Sequence, residues 1–524
     1  MDEKIILNLS LKYGLKNAFD YGKADVGSVV GKVIAEYPNC KKDMKKTMQL
    51  ISETINEINK MNKIDIGQGM KEFEYPEIKQ EREGLPDLEF AKGIGIVTRI
   101  APNPGGMLTL GHAKQSVICD EYAKKYNGKF IVRLEDTDPK TKKPVLEAYE
   151  SIPKNIEWLG CKIHEIFIQS ERMEIYYEYA EKLIGMGKAY VCKCPADIMR
   201  KNREEGLVCE CRNRTIKENK EEWEKMKTIY TEGEAVLRIK TSMDHPNASV
   251  RDWPAMRIIT EPHILQKNKY RVWPLYNLSC PIDDHLMGIT FVMRGKEHEL
   301  NTIKQKYIYD YFGWDLPHFK ESGILKLSDK FAHKSDIRKA IADGEISGWD
   351  DIQLPTLDAM KRRGIKPEAI RKYMINIGIR PVDSKLDWDI LFKYNTELIK
   401  DEAEHLMFVQ DPVEIDIESD IYYISKKDYD DNINKEVRLK QLMNIKISNK
   451  KCDKLPDKKS KSIKTINWVK ENVDISIITS RGEKFEGKTE KKVEFFEVDK
   501  IVYFEKIGFA RLDDEKEMLF VLSY

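Results

Sequence analysis

Residues 95–112 run from an apolar stretch, Gly95 to Ile100, through a turn holding Pro102, Pro104, Gly105 and Gly106, into Thr109-Leu110-Gly111-His112. A strand that must turn through two prolines and two glycines and pass directly into a helix has few folds open to it. The helix is signalled by Ala113, Val117, Ile118, Tyr122 and Ala123 on one side, and Asn127-Gly128 marks its end. A second short apolar strand, Lys129 to Leu134, then closes on Glu135-Asp136-Thr137-Asp138. Strand, turn, helix and strand in that order make a βαβ unit, and hence a parallel sheet. The turn brings backbone N–H groups to the positive end of a helix dipole, which suits a phosphate.

The rest of the chain has room for more than this unit. At 524 residues it predicts three or four domains, and 41% apolar content supplies their cores. Residues 1–80 read as helical, with Leu50, Ile51, Ile55, Ile58 and Met61 at helical spacing, and 72–88 reads as a linker. Leu275 to Arg294 reads as strand–turn–strand around Asp283-Asp284-His285, which argues against a metal dyad because neighbours on a strand face opposite ways. Helical patterning dominates Ile303 to Ile379. Beyond Asp411-Pro412 short apolar runs separated by turns predict small β-barrels, with a Lys/Ser-rich loop at 449–464.

Charge and cysteine use exclude several functions. The net charge is +1, so the whole chain is no general polyanion binder, yet residues 431–470 carry 12 Lys/Arg against four acids. Such a stretch suits a phosphate backbone. The acidic start and the lack of an 18-residue apolar run predict neither a signal peptide nor a membrane span. Nine cysteines are an odd number, and Cys192, Cys194, Cys209 and Cys211 crowd into 20 residues. That pattern suits a reducing cytoplasmic setting and offers four soft ligands for a tetrahedral Zn²⁺.

The segment ending in Thr109-Leu110-Gly111-His112, followed by Glu135-Asp136-Thr137-Asp138, resembles the nucleotide-binding signature of class I aminoacyl-tRNA synthetases of the glutamyl/glutaminyl branch. Agreement continues along the chain, which resembles the archaeal-type glutamyl-tRNA synthetases. The resemblance implies a multidomain fold: an α/β Rossmann-type catalytic domain (86–320) with an acceptor-stem insert at about 190–260, a helical N-terminal extension (1–85), a helical stem-contact region (321–404) and a β-barrel anticodon-binding domain (405–524). It implies ATP-dependent ligation of L-glutamate to tRNA-Glu, and also to tRNA-Gln, through glutamyl-adenylate with Mg²⁺. That chemistry aligns two anions and stabilises a pentavalent phosphorus, and so needs backbone donors and cations and no Ser/His/Asp triad.

Site residues follow from the same resemblance. Pro102, Asn103, Pro104, Gly111, His112, Glu297, His298, Lys334 and Ser335 fall where the family binds ATP, with His112 and Lys334 on the phosphates. The tetrad departs from the family in Thr109, an uncharged residue expected to make a weaker phosphate contact. The second ATP motif aligns with Phe331-Ala332-His333-Lys334-Ser335, and Lys326-Leu327-Ser328 is a rival registration. Arg99 and Arg294 form the expected clamp for the substrate's side-chain carboxylate, because a guanidinium matches a carboxylate in bidentate geometry. Glu135 is expected to take the substrate ammonium and Tyr276 to pack along its side chain, with Asn103 and Cys280 lining the pocket. In glutaminyl enzymes an uncharged residue stands at the place of Arg294. Two alternatives stay open at this point: a tRNA-binding paralogue without activation chemistry, suggested by Thr109 and the divergent lysine motif, and a glutaminyl-tRNA synthetase.

Overall fold

The computed structural model describes residues 2–73, 84–91, 93, 95–327, 331, 334–457, 460 and 462–524. It divides into two compact units, Met1–Glu83 and Gly84–Tyr524. The expected linker at 72–88 lies largely outside the described residues, as do Ala332 and His333 of the lysine motif and Ser328 of its rival registration.

The first unit holds helices Glu3–Tyr21, Val26–Glu36, Met44–Ile58 and Lys63–Met70. Ile6, Leu15, Val29, Val33, Ile51, Ile55 and Ile58 form its core. The helical spacing expected from Leu50 to Met61 is broken after Ile58, and Met61 is left exposed.

The second unit is built on a five-stranded sheet. We label its strands β1 (Val97–Ile100), β2 (Lys129–Leu134), β3 (Glu165–Ile168), β4 (Phe291–Gly295) and β5 (His318–Ser322). All neighbours pair in parallel, in the order β3-β2-β1-β4-β5. Helix α1 (Leu110–Lys125) links β1 to β2 and buries Ala113, Val117, Ile118, Tyr122 and Ala123 against the sheet. Asn127 ends it in a left-handed conformation (φ 51°). Gly128 then passes so near β1 that a Cβ there would sit 1.9 Å from the Ile96 carbonyl oxygen, so no other residue fits.

The segment Leu275–Arg294 departs from the sequence expectation. Tyr276–Leu286 is a helix, α2, and only Phe291–Gly295 is a strand. Pro281 inside the helix argues against one locally, but burial of Leu278 and Ile282 in the insert's core outweighs the lost backbone hydrogen bond. Between β3 and α2 the insert contains a four-stranded antiparallel sheet spanning Ala189 to Pro274, past the expected end near 260. A third site helix, α3 (Glu299–Phe312), connects β4 to β5.

Helices α4 (Lys334–Ala342), Leu357–Arg362, Pro367–Ile377 and Trp388–Ile399 follow, and Ile337, Met360, Ile370, Met374 and Leu391 join the same core as the parallel sheet. The C-terminal part is β-structure around two cores. One belongs to a seven-stranded sheet, the other to a four-stranded sheet with the hairpin Pro412–Ser425. The expected loop at 449–464 contains a strand, Cys452–Leu455, paired with Asn444–Ile447. No helix of the described residues is long and apolar enough to cross a membrane.

Candidate active site

In a parallel sheet of order 3-2-1-4-5 the chain leaves β1 toward one side and β4 toward the other. A crevice therefore opens at the carboxyl ends of those two strands. Arg99 lies at the end of β1, Arg294 at the end of β4, and Glu135 just beyond β2. Residues nearly 200 positions apart in sequence meet here because β1 and β4 are neighbours in the sheet.

The turn after β1 is fixed from several sides. The Asn103 amide donates to the Glu135 carbonyl (2.7 Å) and accepts from Gly105 N–H (2.9 Å), so both of its ends serve the backbone. Pro102 and Pro104 are buried, and their carbonyls accept from Glu135 N–H and Val145 N–H. Thr109 caps α1, and its N–H donates to His112 Nδ1 (3.2 Å). That bond makes Nδ1 the acceptor and leaves Nε2 to carry the proton. Burial and the neighbouring Lys334 push the His112 pKa down to about 3, so the ring is a neutral donor. A Cβ on Gly111 would meet only Thr109 Oγ1, at 3.6 Å. Nothing inside the protein requires glycine at that position, and the open space lies over the helix end.

Lys334, at the start of α4, reaches this turn. Its Nζ donates to the carbonyls of Gly106 (2.9 Å) and Asn103 (3.3 Å), and burial with the nearby Arg338 lowers its pKa to about 8. Ser335 beside it is exposed. Lys326, the rival lysine, is exposed and pairs with Asp383 at 3.6 Å, and is not at the turn. Glu297 and His298 follow β4, both with partly exposed side chains, and His298 lies against Tyr276 with ring centroids 5.4 Å apart.

The charge pattern around Arg99 and Arg294 differs sharply between the two. Arg99 donates Nε and NH2 to both oxygens of Asp284 (3.1 and 3.2 Å), and Arg133 donates NH1 to the same carboxylate (2.7 Å). Arg133 also holds Glu135 (3.0 Å), while Asp283 takes Arg172, Gln169 and the Tyr176 hydroxyl. Arg99, Arg133 and Arg172 thus balance Glu135, Asp283 and Asp284. The paired guanidiniums hold the Asp284 carboxyl well below the ordinary aspartate range, while burial raises that of Glu135. Arg294 has no such partner. It donates to Gln305 Oε1 (2.9 Å), the Tyr276 hydroxyl (3.3 Å) and Thr302 Oγ1, and lies 4.7 Å over the Phe319 ring. Among the described residues no carboxylate lies within ion-pair distance of it, and its buried Nε has no hydrogen-bond partner.

The expected clamp of two arginines is therefore unequal. The bidentate pair with Asp284 engages two nitrogens of Arg99, leaving NH1, whereas Arg294 has no direct carboxylate partner, Glu321 being reached only through the Thr302 hydroxyl (3.4 Å from it). Arg133, Thr302 and Gln305 were not among the residues singled out from sequence, and Asp284 was noted only as part of a motif unsuited to a metal dyad. The spacing Tyr276, Cys280, Asp284 was the available signal, since i, i+4 and i+8 share one face of a helix. Cys280 Sγ indeed lies 3.3 Å from Arg133 NH2.

A second cluster stands in the insert. The sulfurs of Cys192, Cys194, Cys209 and Cys211 all lie within 4.8 Å of one another, and Cys192 and Cys209 are 3.9 Å apart. A tetrahedron with Zn–S bonds of about 2.3 Å has edges of roughly 3.8 Å, so the cage fits that ion. Arg238 NH1 approaches Cys192 (3.7 Å) and Cys209 (3.9 Å), as a hydrogen-bonding outer layer for thiolates would.

Known proteins place this architecture. Residues 95–401 match the family described as tRNA synthetases class I (E and Q), catalytic domain. The chain is 40% identical to the glutamate--tRNA ligase of Thermococcus kodakarensis, over 97% of each chain. It is also 40% identical to that of Methanocaldococcus jannaschii, over 100% of each. Among solved structures, a glutamate tRNA ligase from Elizabethkingia meningosepticum aligns over 58% of this chain and 70% of its own, at 22% identity and a TM-score of 0.43. By extent and identity of match, the chain belongs to the class I tRNA synthetases of the glutamate and glutamine branch.

Proposed function

We propose that the protein ligates L-glutamate to tRNA-Glu, and also to tRNA-Gln, by way of glutamyl-adenylate. The observation that carries this reading is Arg294: a buried guanidinium with neutral partners only, beside Tyr276 and at the mouth of the sheet crevice. A buried cation without a counter-ion gains most from an acidic ligand and little from an amide.

In this reading the substrate's ammonium meets Glu135, its side chain runs along Tyr276, and its side-chain carboxylate completes Arg294, with the remaining NH1 of Arg99 alongside. ATP lies over Gly111 at the start of α1. His112 Nε2–H donates to the phosphates as a neutral group, so Thr109 costs the site no histidine proton: it sets which nitrogen carries it. Lys334 exchanges its two backbone carbonyls for phosphate oxygens as the α-phosphate is attacked. Glu297 and His298 border the nucleotide, and Ser335 lies beside Lys334. Mg²⁺ arriving with the nucleotide supplies further neutralisation of phosphate charge. The four cysteines hold a structural Zn²⁺ that ties the insert together, where the acceptor stem is gripped. The sheets after residue 404 read the anticodon.

The test is ATP–pyrophosphate exchange with glutamate and with glutamine, with and without tRNA. Exchange with glutamate in the presence of tRNA is expected, and Arg294→Ala should abolish it while tRNA affinity is kept. Exchange absent under all conditions, or glutamate kinetics unchanged in Arg294→Ala, overturns the reading.

A further inference from the structure

Three side-chain amides join the two halves of the site. Arg294 NH1 donates to Gln305 Oε1 (2.9 Å). Gln305 Nε2 then faces Asn277 Oδ1 (3.3 Å), Asn277 Nδ2 faces Asn301 Oδ1 (3.0 Å), and Asn301 Nδ2 faces His298 Nδ1 (3.1 Å). The direction of this chain is not free. A guanidinium only donates, so it must meet the oxygen of Gln305. Each amide then turns its nitrogen to the next oxygen, and the last nitrogen reaches the imidazole as a donor. Nδ1 must accept, and the ring's one proton goes to Nε2.

We propose that Gln305, Asn277 and Asn301 are positioning residues that transmit the donor-only character of Arg294 to His298 and lock its imidazole as the Nε2–H tautomer. One chain thereby sets both the unmatched cation for the amino acid and the hydrogen-bond donor presented beside the nucleotide. The neutrality of the chain is part of its action: a carboxylate at 305 would cancel Arg294, whereas an amide orients it and leaves its charge for the ligand. Gln305 is buried, as a fixed first link requires. The nearest carboxylate to Nε2 is Glu297, at 3.9 Å, and burial together with Arg294 keeps the ring below the ordinary histidine range. The consequence for the nucleotide rests on the function proposed above; the tautomer does not.

The experiment is ¹⁵N NMR of the histidines in the ligand-free full-length protein at about pH 8, where a ring of this kind is neutral, with His298 assigned by His298→Gln. The proton is expected on Nε2 in the parent. Asn301→Asp presents only acceptors, to both Asn277 and His298, and should move the proton to Nδ1. Asn277→Asp reverses the Asn301 amide and should do the same, so either variant serves if the other fails to fold. In Asn301→Asp the KM for ATP in pyrophosphate exchange should rise about tenfold, the loss of one good hydrogen bond, with the KM for glutamate within about twofold. A parent with Nδ1–H, a variant that keeps Nε2–H, or a switched tautomer with an unchanged KM for ATP overturns the proposal. A parent without glutamate exchange would overturn the proposed function instead, and the tautomer would still decide the chain.

Discussion

Asp284→Asn is the sharpest probe of how the site is held together. The carboxylate is buried and accepts three guanidinium hydrogen bonds, two from Arg99 (3.1 and 3.2 Å) and one from Arg133 (2.7 Å), with a fourth from the Cys280 thiol (3.5 Å). Asparagine keeps the shape but replaces one acceptor oxygen with an NH2 that must face a guanidinium donor. It also removes one of the three negative charges that balance Arg99, Arg133 and Arg172. Breaking a buried pair in this way costs about 3–5 kcal/mol, a large share of the roughly 5–15 kcal/mol that holds a domain folded. All eight tryptophans lie between Trp158 and Trp468, so urea unfolding followed by tryptophan fluorescence reports this unit alone. Arg99→Met removes one stranded donor. The double variant should therefore be less destabilised than the sum of the two by about 2 kcal/mol, within the range seen for contacting residues. The sign with pH follows from the depressed carboxyl. Its stabilisation is complete above the unfolded aspartate value near about pH 4 and is lost as pH falls through the lower folded value. Asp284→Asn should lack that acid-side loss. A variant within about 1 kcal/mol of the parent, with additive behaviour in the double, would refute a buried charge balance centred on Asp284.

Other perturbations separate ligand roles from structural ones. Gly111→Ala should fold with stability unchanged or raised by up to about 1 kcal/mol, as alanine favours a helix, yet lose affinity for ATP; an unchanged KM for ATP would show that nothing approaches that backbone. His112 should titrate far below the ordinary histidine range in NMR of the free protein, near the value of about 3 set by burial and Lys334; a midpoint near about 6.5 would place the ring in water. Elemental analysis should find one zinc per chain, lost in Cys209→Ser together with thermal stability of the insert, and a metal-free parent of full stability would rule out the cage.

The order of elements around the nucleotide turn was readable from sequence because it depends on local rules: apolar runs, the Asn127-Gly128 stop and the glycine-rich corner. The close spacing of four cysteines likewise announced a cluster before any geometry was known. Tertiary structure decided what each charge faces. Asp283 and Asp284 looked like a strand pair with opposite faces, and Pro281 discouraged a helix, until packing against the insert's core made them part of α2. Arg99 and Arg294 read as equals in sequence, yet the first pairs with a carboxylate 185 positions away and the second with an amide on a neighbouring helix. Periodicity reports which side of an element is buried. It carries no record of the partner across a gap of a hundred residues, and that partner's charge determines whether a buried arginine is already matched or still needs an anion.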